Sequence, residues 1–242
     1  MDMNQGERID RIGFGYLQLI QKPEEFCYGV DAVILADFVK AKSGDCIMDL
    51  GTGTGIIPFI LSHKTKAHRI YGLEVQEDSY RRACRNVELN GLNHRVQILN
   101  GNVKHIKNAA LPPFQVVVTN PPYMKGGGGL KNANEAKTIA RHETMASLED
   151  FIACAQRLLV DKGHFYMVHR PSRLVDICYL CRTYGLEPKE IRFVSPNVKK
   201  PPNIILIHCV KNGGCEVKVL EPLYVYEETG AYSQEILRIY EK

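Results

Sequence analysis

Asp49-Leu50-Gly51-Thr52-Gly53-Thr54-Gly55 decides how the rest of this chain is read. The apolar run Cys46-Ile47-Met48 precedes it, and Ile56-Ile57-Pro58-Phe59-Ile60-Leu61 follows. Strand, glycine turn and helix in that order form the usual setting of a nucleotide-type ligand site in an α/β fold. The glycine spacing narrows the choice of ligand. A dinucleotide fingerprint needs a third glycine at the sixth place from Gly51, where Ile56 stands, and no Gly-Lys-Ser/Thr follows to make a phosphate loop. Glycines at alternate positions instead let backbone approach a ligand that has no pyrophosphate to cradle.

A second motif, Asn120-Pro121-Pro122-Tyr123, closes another buried-strand pattern, Phe114, Val116, Val117 and Val118. An amide side chain and a rigid carbonyl beside an aromatic ring suit a flat substrate that carries an NH2 group. The two acceptors hold the amine and the ring holds the plane. The prolines fix φ and remove competing N–H donors. Alone, the tetrapeptide reads equally well as a proline stop after a strand; with the glycine turn upstream, it reads as half of an active site.

Strand and helix patterns alternate along the chain. A short strand at 16–20, a turn at Lys22-Pro23-Glu24-Glu25 and a returning strand at Phe26-Cys27-Tyr28 predict an N-terminal hairpin, and Asp31 caps the apolar helix that follows. Further strands are expected at 46–49, 70–74, 96–99, 116–119, 165–168, 191–194 and 204–207. Asn90-Gly91 ends one helix, and Ser147 with Asp150 opens another as a capping-box variant. The tail from 217 to 242 has room for another strand and a short helix. The expected architecture is α/β: a mostly parallel seven-stranded sheet with helices on both faces, in one domain over 1–242, with 1–42 as a short hairpin-and-helix extension and 43–242 as the core. Residues 124–146 show little periodicity and read as a long loop, either a functional lid or a disordered segment.

Composition constrains function only broadly. Hydrophobic residues at 45% and charged residues at 24% are those of a globular protein. No apolar run is long enough to span a bilayer and the polar N-terminus is unlike a secretory signal, so a cytoplasmic protein without a membrane partner is expected. A net charge of +4 is compatible with a polyanionic partner without requiring one. Cys178 and Cys181 form a CxxC, but with Leu174 and Ile177 they trace a buried helical stripe, and no second CxxC completes a metal site. They are expected to be core thiols, and no metal is expected. Cys209 and Cys215 flank Asn212-Gly213-Gly214, read as a hairpin turn.

Glycines at alternate positions behind an acidic residue resemble motif I of the class I S-adenosylmethionine-dependent methyltransferases, whose fold is Rossmann-like. That resemblance implies S-adenosyl-L-methionine as cofactor and S-adenosyl-L-homocysteine as product. Gly51, Gly53 and Gly55 then approach the cofactor, and Asp49 orders the turn and reaches for the methionine amine. Glu74, at a strand end roughly twenty residues past the turn, suits the ribose hydroxyls, with helix capping as its plainer role. Asn102 stands where this class commonly has Asp against the adenine amine, and Val103 packs on the ring. Such a donor is already electrophilic, so catalysis needs alignment more than acid or base. Asn120 Oδ1 and the Pro121 carbonyl would accept the amine hydrogens and stabilise the transient ammonium, while Tyr123 stacks on a base splayed out of its nucleic acid.

The chain is similar over most of its length to the bacterial tRNA1(Val) N6-adenine methyltransferases, within the methyltransferase small group. The resemblance rests on Phe26-Cys27-Tyr28-Gly29-Val30-Asp31-Ala32-Val33-Ile34-Leu35-Ala36, the glycine turn, Asn120-Pro121-Pro122-Tyr123, and the stretch ending Ala140-Arg141-His142-Glu143. It implies methylation of the adenosine 3′ of the valine anticodon in tRNA, and a role for Asp31 in closing the cofactor pocket as an alternative to simple capping. Lys125, Lys131, Lys137, Arg141, Lys199 and Lys200 group around the expected mouth and read either as phosphate contacts or as solvated surface. Three other functions fit parts of the pattern. The Asn-Pro-Pro-Tyr motif also suits a glutamine methyltransferase acting on release factors, although those carry a separate helical substrate domain and only 1–42 precede the core here. A ribosomal RNA guanine-N2 methyltransferase is a third option. A non-catalytic RNA- or protein-binding module is a fourth, and intact motifs argue against it.

Overall fold

The computed structural model describes residues 3–24, 28–106, 111–122 and 146–241. The chain opens with β1 (Arg8–Arg11) and β2 (Gln18–Gln21), an antiparallel hairpin, then α1 (Val30–Phe38). The core follows as β3 (Cys46–Leu50), α2 (Ile56–Lys64), β4 (Arg69–Glu74), α3 (Glu77–Leu89), β5 (Val96–Asn100) and β6 (Phe114–Thr119). Its second half is α4 (Leu148–Leu158), β7 (Leu159–His169), a single 3₁₀ turn at Pro171–Arg173, α5 (Leu174–Thr183), β8 (Leu186–Ser195) and β9 (Ile204–Lys211). Two-residue strands β10 (Lys218–Val219) and β11 (Leu223–Tyr224) and helix α6 (Gln234–Ile239) end the described chain.

The seven long core strands lie in the order β5-β4-β3-β6-β7-β9-β8, and β10 and β11 both pair with β8. The expected seven-stranded sheet thus gains two short strands at its outer edge. Strands β3 to β7 are mutually parallel, whereas β9 runs antiparallel to both β7 and β8. Two apolar layers cover the sheet. One holds Val33, Leu35, Phe59, Ile60 and Val87 from α1 to α3. The other holds Phe151, Ile152, Ile177 and Cys181 from α4 and α5. Alternation along each strand feeds both layers: Ile47, Ile70, Val116 and Val118 point to the first, and Met48, Leu73 and Val117 to the second.

The N-terminal hairpin differs from the one expected. The partner of β2 is β1, which precedes it, and not the segment around Tyr28. The sequence Arg8-Ile9-Asp10-Arg11 carries no apolar alternation because it is a largely exposed edge. Phe26 and Cys27 lie outside the described residues. The outer side of β2 is satisfied by two asparagines one turn apart on α3. Asn90 accepts from Gln18 N and donates to Gln18 O; Asn86 does the same for Ile20. The two amides stand in for a neighbouring strand and answer the hydrogen-bonding demand of the buried backbone.

Two other local readings change, and two hold. Helix α1 is N-capped by Gly29, and Asp31 sits inside its first turn, where Oδ1 accepts from Ala32 N. Residues 212–214 do not close a hairpin, because β10 runs parallel to β8 and makes no ladder with β9. Asn212 instead turns the chain with φ of +53°. The capping box at Ser147 and Asp150 is present, with hydrogen bonds in both directions. Cys178 and Cys181 face the core as free thiols beside the buried Cys209. Among the described residues no cluster has metal-binding geometry, and no helix is long and apolar enough to cross a membrane.

Candidate active site

Strand register brings the sequence motifs to one edge. Leu50 pairs with both Thr119 and Leu73, and Glu74 pairs with Asn100, so β3, β4, β5 and β6 end flush. The glycine turn, Glu74, Asn102 and Asn120 therefore share the carboxyl edge, where open α/β sheets bind ligands. Parity adds a second constraint. Asp49, Glu74 and Asn120 all follow the alternation of strand residues facing α1 to α3. Asp31 reaches the same place from α1: its Oδ2 accepts from Asn120 Nδ2 at 3.3 Å. In this amide orientation Asn120 Oδ1 is the end turned away from Asp31.

The glycine turn is built on left-handed backbone. Gly51, Gly53 and Gly55 have φ of +74°, +58° and +91°, values that cost a side-chain-bearing residue about 1 kcal/mol or more. A Cβ at Gly55 would lie 2.8 Å from the ring of Phe59, whereas a Cβ at Gly53 would meet nothing within 4 Å among the described residues. Gly55 serves packing, and Gly53 has room beside it among the described residues. The turn is pinned from β4: Gly51 N and Thr52 N both donate to Leu73 O, and Gly53 N donates to Glu74 Oε2 at 2.8 Å. Glu74 Oε1 accepts from Gln76 N. The carboxylate that binds the turn's backbone is thus Glu74, where the sequence pointed to Asp49. Each Glu74 oxygen retains a second lone pair suited to a hydroxyl donor. Asn86 Nδ2 also donates to Thr54 O, which couples the turn to the docked hairpin. A paired asparagine at i, i+4 on an otherwise charged helix face was the available signal for this contact.

Asp49 is fully buried, and neither of its oxygens nor Thr52 Oγ1 has a hydrogen-bond partner among the described residues. Burial pushes its carboxyl up to about 7; the nearby Thr52 hydroxyl opposes the rise and the Glu74 charge adds to it. Buried polar groups are seldom left unsatisfied, and those that are need an explanation. Two acceptors and a hydroxyl waiting beside an open glycine turn fit a ligand that brings its own donors, such as the ammonium end of a methionine-type cofactor.

Asn102 lies past β5, with Oδ1 accepting from Lys104 N and its carbonyl accepting from His105 N and Ile106 N. Val103 is buried in the α4–α5 layer, and its carbonyl accepts from Arg157. Both follow β5 at the edge next to Glu74. Pro121 is buried and Pro122 exposed. Tyr123, Lys125, Lys131, Lys137, Arg141 and His142 lie outside the described residues. Lys199 and Lys200 are exposed in the loop between β8 and β9, which returns to the same edge because Val194 pairs with Ile204 and Ile205 with His169. Arg170 and Arg173, directly after β7, stand at that edge as well, and only the knowledge of strand order could have added them.

The methyltransferase small domain model matches residues 18–175, more than half of the chain and the whole of this edge from β2 to the start of α5. The chain belongs to the methyltransferase small domain family. It is 27% identical over 222 residues to a curated tRNA1(Val) (adenine(37)-N6)-methyltransferase of Porphyromonas gingivalis, covering 88% of this chain and 86% of that one. An enzyme of the same name from Trichodesmium erythraeum is 26% identical, with 76% and 77% covered. Among solved structures, a predicted O-methyltransferase from Agrobacterium tumefaciens superposes with a TM-score of 0.71 at 22% identity, covering 87% of this chain and 95% of that one. A ribosomal protein L11 methylase from Lactobacillus delbrueckii superposes at 0.52 and 14% identity, covering 76% and 78%. These likenesses carry the fold: a class I methyltransferase sheet, and with the family match, an enzyme that transfers methyl groups.

Proposed function

We propose that this methyltransferase small domain protein transfers a methyl group from S-adenosyl-L-methionine to the N6 amine of an adenosine in tRNA, the one 3′ of the anticodon in tRNA1(Val), and that it does so in the cytoplasm as one unit spanning 1–242. The observation that carries the reading is the placement of Asn120 on the same face and edge as the glycine turn, one strand away and held by Asp31. The names of the curated relatives support the nucleic-acid substrate over the alternatives. The N-terminal hairpin and helix pack on α2 and α3 as part of the same unit.

When bound, the cofactor supplies an electrophilic sulfonium methyl. The protein's work is positioning. Gly51 and Gly53 bring backbone against the methionine part and the ribose, while Asp49 and Thr52 accept and complement the amino-acid end. Glu74 takes the ribose hydroxyls on its remaining lone pairs, and Asn102 and Val103 border the adenine. Asn120 Oδ1 and the Pro121 carbonyl accept the two hydrogens of the substrate amine, which turns its lone pair out of the ring's conjugation and toward the methyl. The same acceptors stabilise the ammonium formed on transfer, which then loses one proton to solvent to leave the neutral N6-methylamine. Asp31 holds the amide of Asn120 in register, and Tyr123 stacks on the extruded base.

Incubation with labelled methyl donor and bulk bacterial tRNA, followed by nucleoside mass spectrometry, tests the reading. N6-methyladenosine is expected. Label confined to a release-factor glutamine or to guanosine would replace it with one of the alternatives.

A further inference from the structure

We propose that the carboxyl edge outward from Asn120, formed by Arg170, Arg173, Lys199 and Lys200 and ending at the stacked pair Tyr226–Tyr232, is the docking surface for the RNA strand that flanks the target base. This inference rests on the tRNA reading above and adds where the substrate lies.

Topology makes the surface continuous. The carboxyl end of β7 meets the start of β9 where His169 pairs with Ile205, and β9 meets the end of β8 where Ile204 pairs with Val194. Beyond β8, the chain after β11 continues alongside: Val225 N donates to Ser195 O and Tyr226 N to Pro196 O. From β6 to β8 there are three strand steps, with β7 and β9 between them, which is about 14 Å at ordinary strand spacing. The cations are therefore laid out along a line that starts beside the catalytic asparagine.

The surface is also stiff. Arg170 Nη1 donates to Asn203 O at 3.2 Å, tying the turn after β7 to the loop between β8 and β9. Within that loop Lys199 N donates to Asn197 Oδ1, Lys200 N to Asn197 O, and Asn203 N to Val194 O. Pro201 and Pro202 restrict what remains. A preformed loop displays its lysines with no backbone ordering cost on binding. Lys199 pairs with Glu228 and Arg173 with Asp176, but these are solvent-facing contacts that phosphate can displace.

An anionic protein would meet the same cations, and the tyrosines favour RNA. Tyr226 and Tyr232 are 40% and 37% exposed, with ring centroids 5.3 Å apart and planes 11° from parallel. An exposed, already stacked aromatic pair at the end of a basic track suits an unpaired base, which stacks on such rings regardless of its identity.

Steady-state methylation of bulk bacterial tRNA tests the proposal, together with filter binding of the same tRNA across a salt series. For Arg170→Ala/Lys200→Ala we expect KM for tRNA to rise roughly tenfold with kcat and donor affinity unchanged, and the log–log salt slope to fall by about 1.5, the loss of two phosphate contacts. Lys66→Ala, at the opposite edge, should change neither. Tyr226→Ala should weaken tRNA binding while heparin retention stays at the wild-type value, and Tyr226→Phe should restore it. An unchanged KM and slope in the double variant, or an equal change from Lys66→Ala, would overturn the proposal; so would a Tyr226→Ala effect on heparin as large as on tRNA. If the wild type binds tRNA but leaves it unmethylated, the functional reading fails while the binding series still judges the surface.

Discussion

Two buried carboxylates in this protein have opposite surroundings. Glu7, in the N-terminal extension, has a side chain only 3% exposed. Arg85 Nη1 lies 2.9 Å from both its oxygens, and Arg82 and the backbone of Asn4 also donate to it. Burial alone would raise its pKa, but these donors outweigh burial and hold the carboxyl below its usual range. Asp49 is more deeply buried, has no hydrogen-bond partner among the described residues, and is pushed up to about 7 by that burial, with the nearby Thr52 hydroxyl opposing the rise. Glu7 is a finished structural contact that fastens the hairpin to α3. Asp49 is an unfinished one among the described residues, and in the proposed function it receives the donor's ammonium. The contrast separates residues that hold the fold from those held ready by it, which burial alone cannot do.

Removing Glu7 should have the larger effect on stability. Glu7→Ala removes the carboxylate that Arg82 and Arg85 share, and breaking such a pair costs about 3 kcal/mol, readable as a lower denaturant midpoint with an unchanged slope. Donor affinity of the folded fraction should stay within about threefold of wild type. Asp49→Asn should do the reverse: at pH 8 stability stays equal or rises, because a buried charge is removed, while donor affinity drops about tenfold or more for want of a charge-assisted contact. Equal effects of the two substitutions on either measurement would erase the distinction.

Acidity sharpens it further, because the two groups have opposite linkage. Glu7 has a lowered folded pKa, so its contribution is present above the ordinary carboxylate value and is lost as pH falls through the folded one. Asp49 has a raised folded pKa, so its contribution is fully present below 3.8 and is lost as pH rises through about 7. A donor carrying an ammonium group favours the ionised form of Asp49. Its affinity should therefore rise with pH between 5 and 7, by at most about tenfold per unit, and level off above. Calorimetric titration across that range checks this, and Asp49→Asn should flatten the profile.

A smaller effect comes from the glycine turn. Gly53→Ala places a methyl in open space at an unfavourable φ, costing about 1 kcal/mol of stability, whereas Gly55→Ala adds a contact of 2.8 Å with Phe59 to the same strain. The first substitution should weaken donor binding more than folding, and the second should weaken folding more. Thermal unfolding with and without donor distinguishes them.

The sequence conveyed the sheet and the polar residues along its carboxyl edge because those depend on local patterns: alternating apolar strands, alternate glycines, acids and amides at strand ends. It did not convey β1, whose charged residues carry no period, or the Asn86–Asn90 braces, whose partners lie 66 and 72 positions away. Asp31 looked like a cap because its neighbours spell one, yet Gly29 takes that role and Asp31 turns to Asn120. The lack of a partner for Asp49 among the described residues could not be read at all, since it depends on which groups the fold brings near.

The central claim is that Asn120 acts on the substrate amine and not on the donor. Single-turnover methyl transfer to tRNA by Asn120→Ala at saturating donor tests it most directly, alongside the donor Kd. The account predicts a rate loss of about a hundredfold or more, with Kd within about threefold of wild type. A near-normal rate, or a loss matched by an equal loss of donor binding, would contradict it.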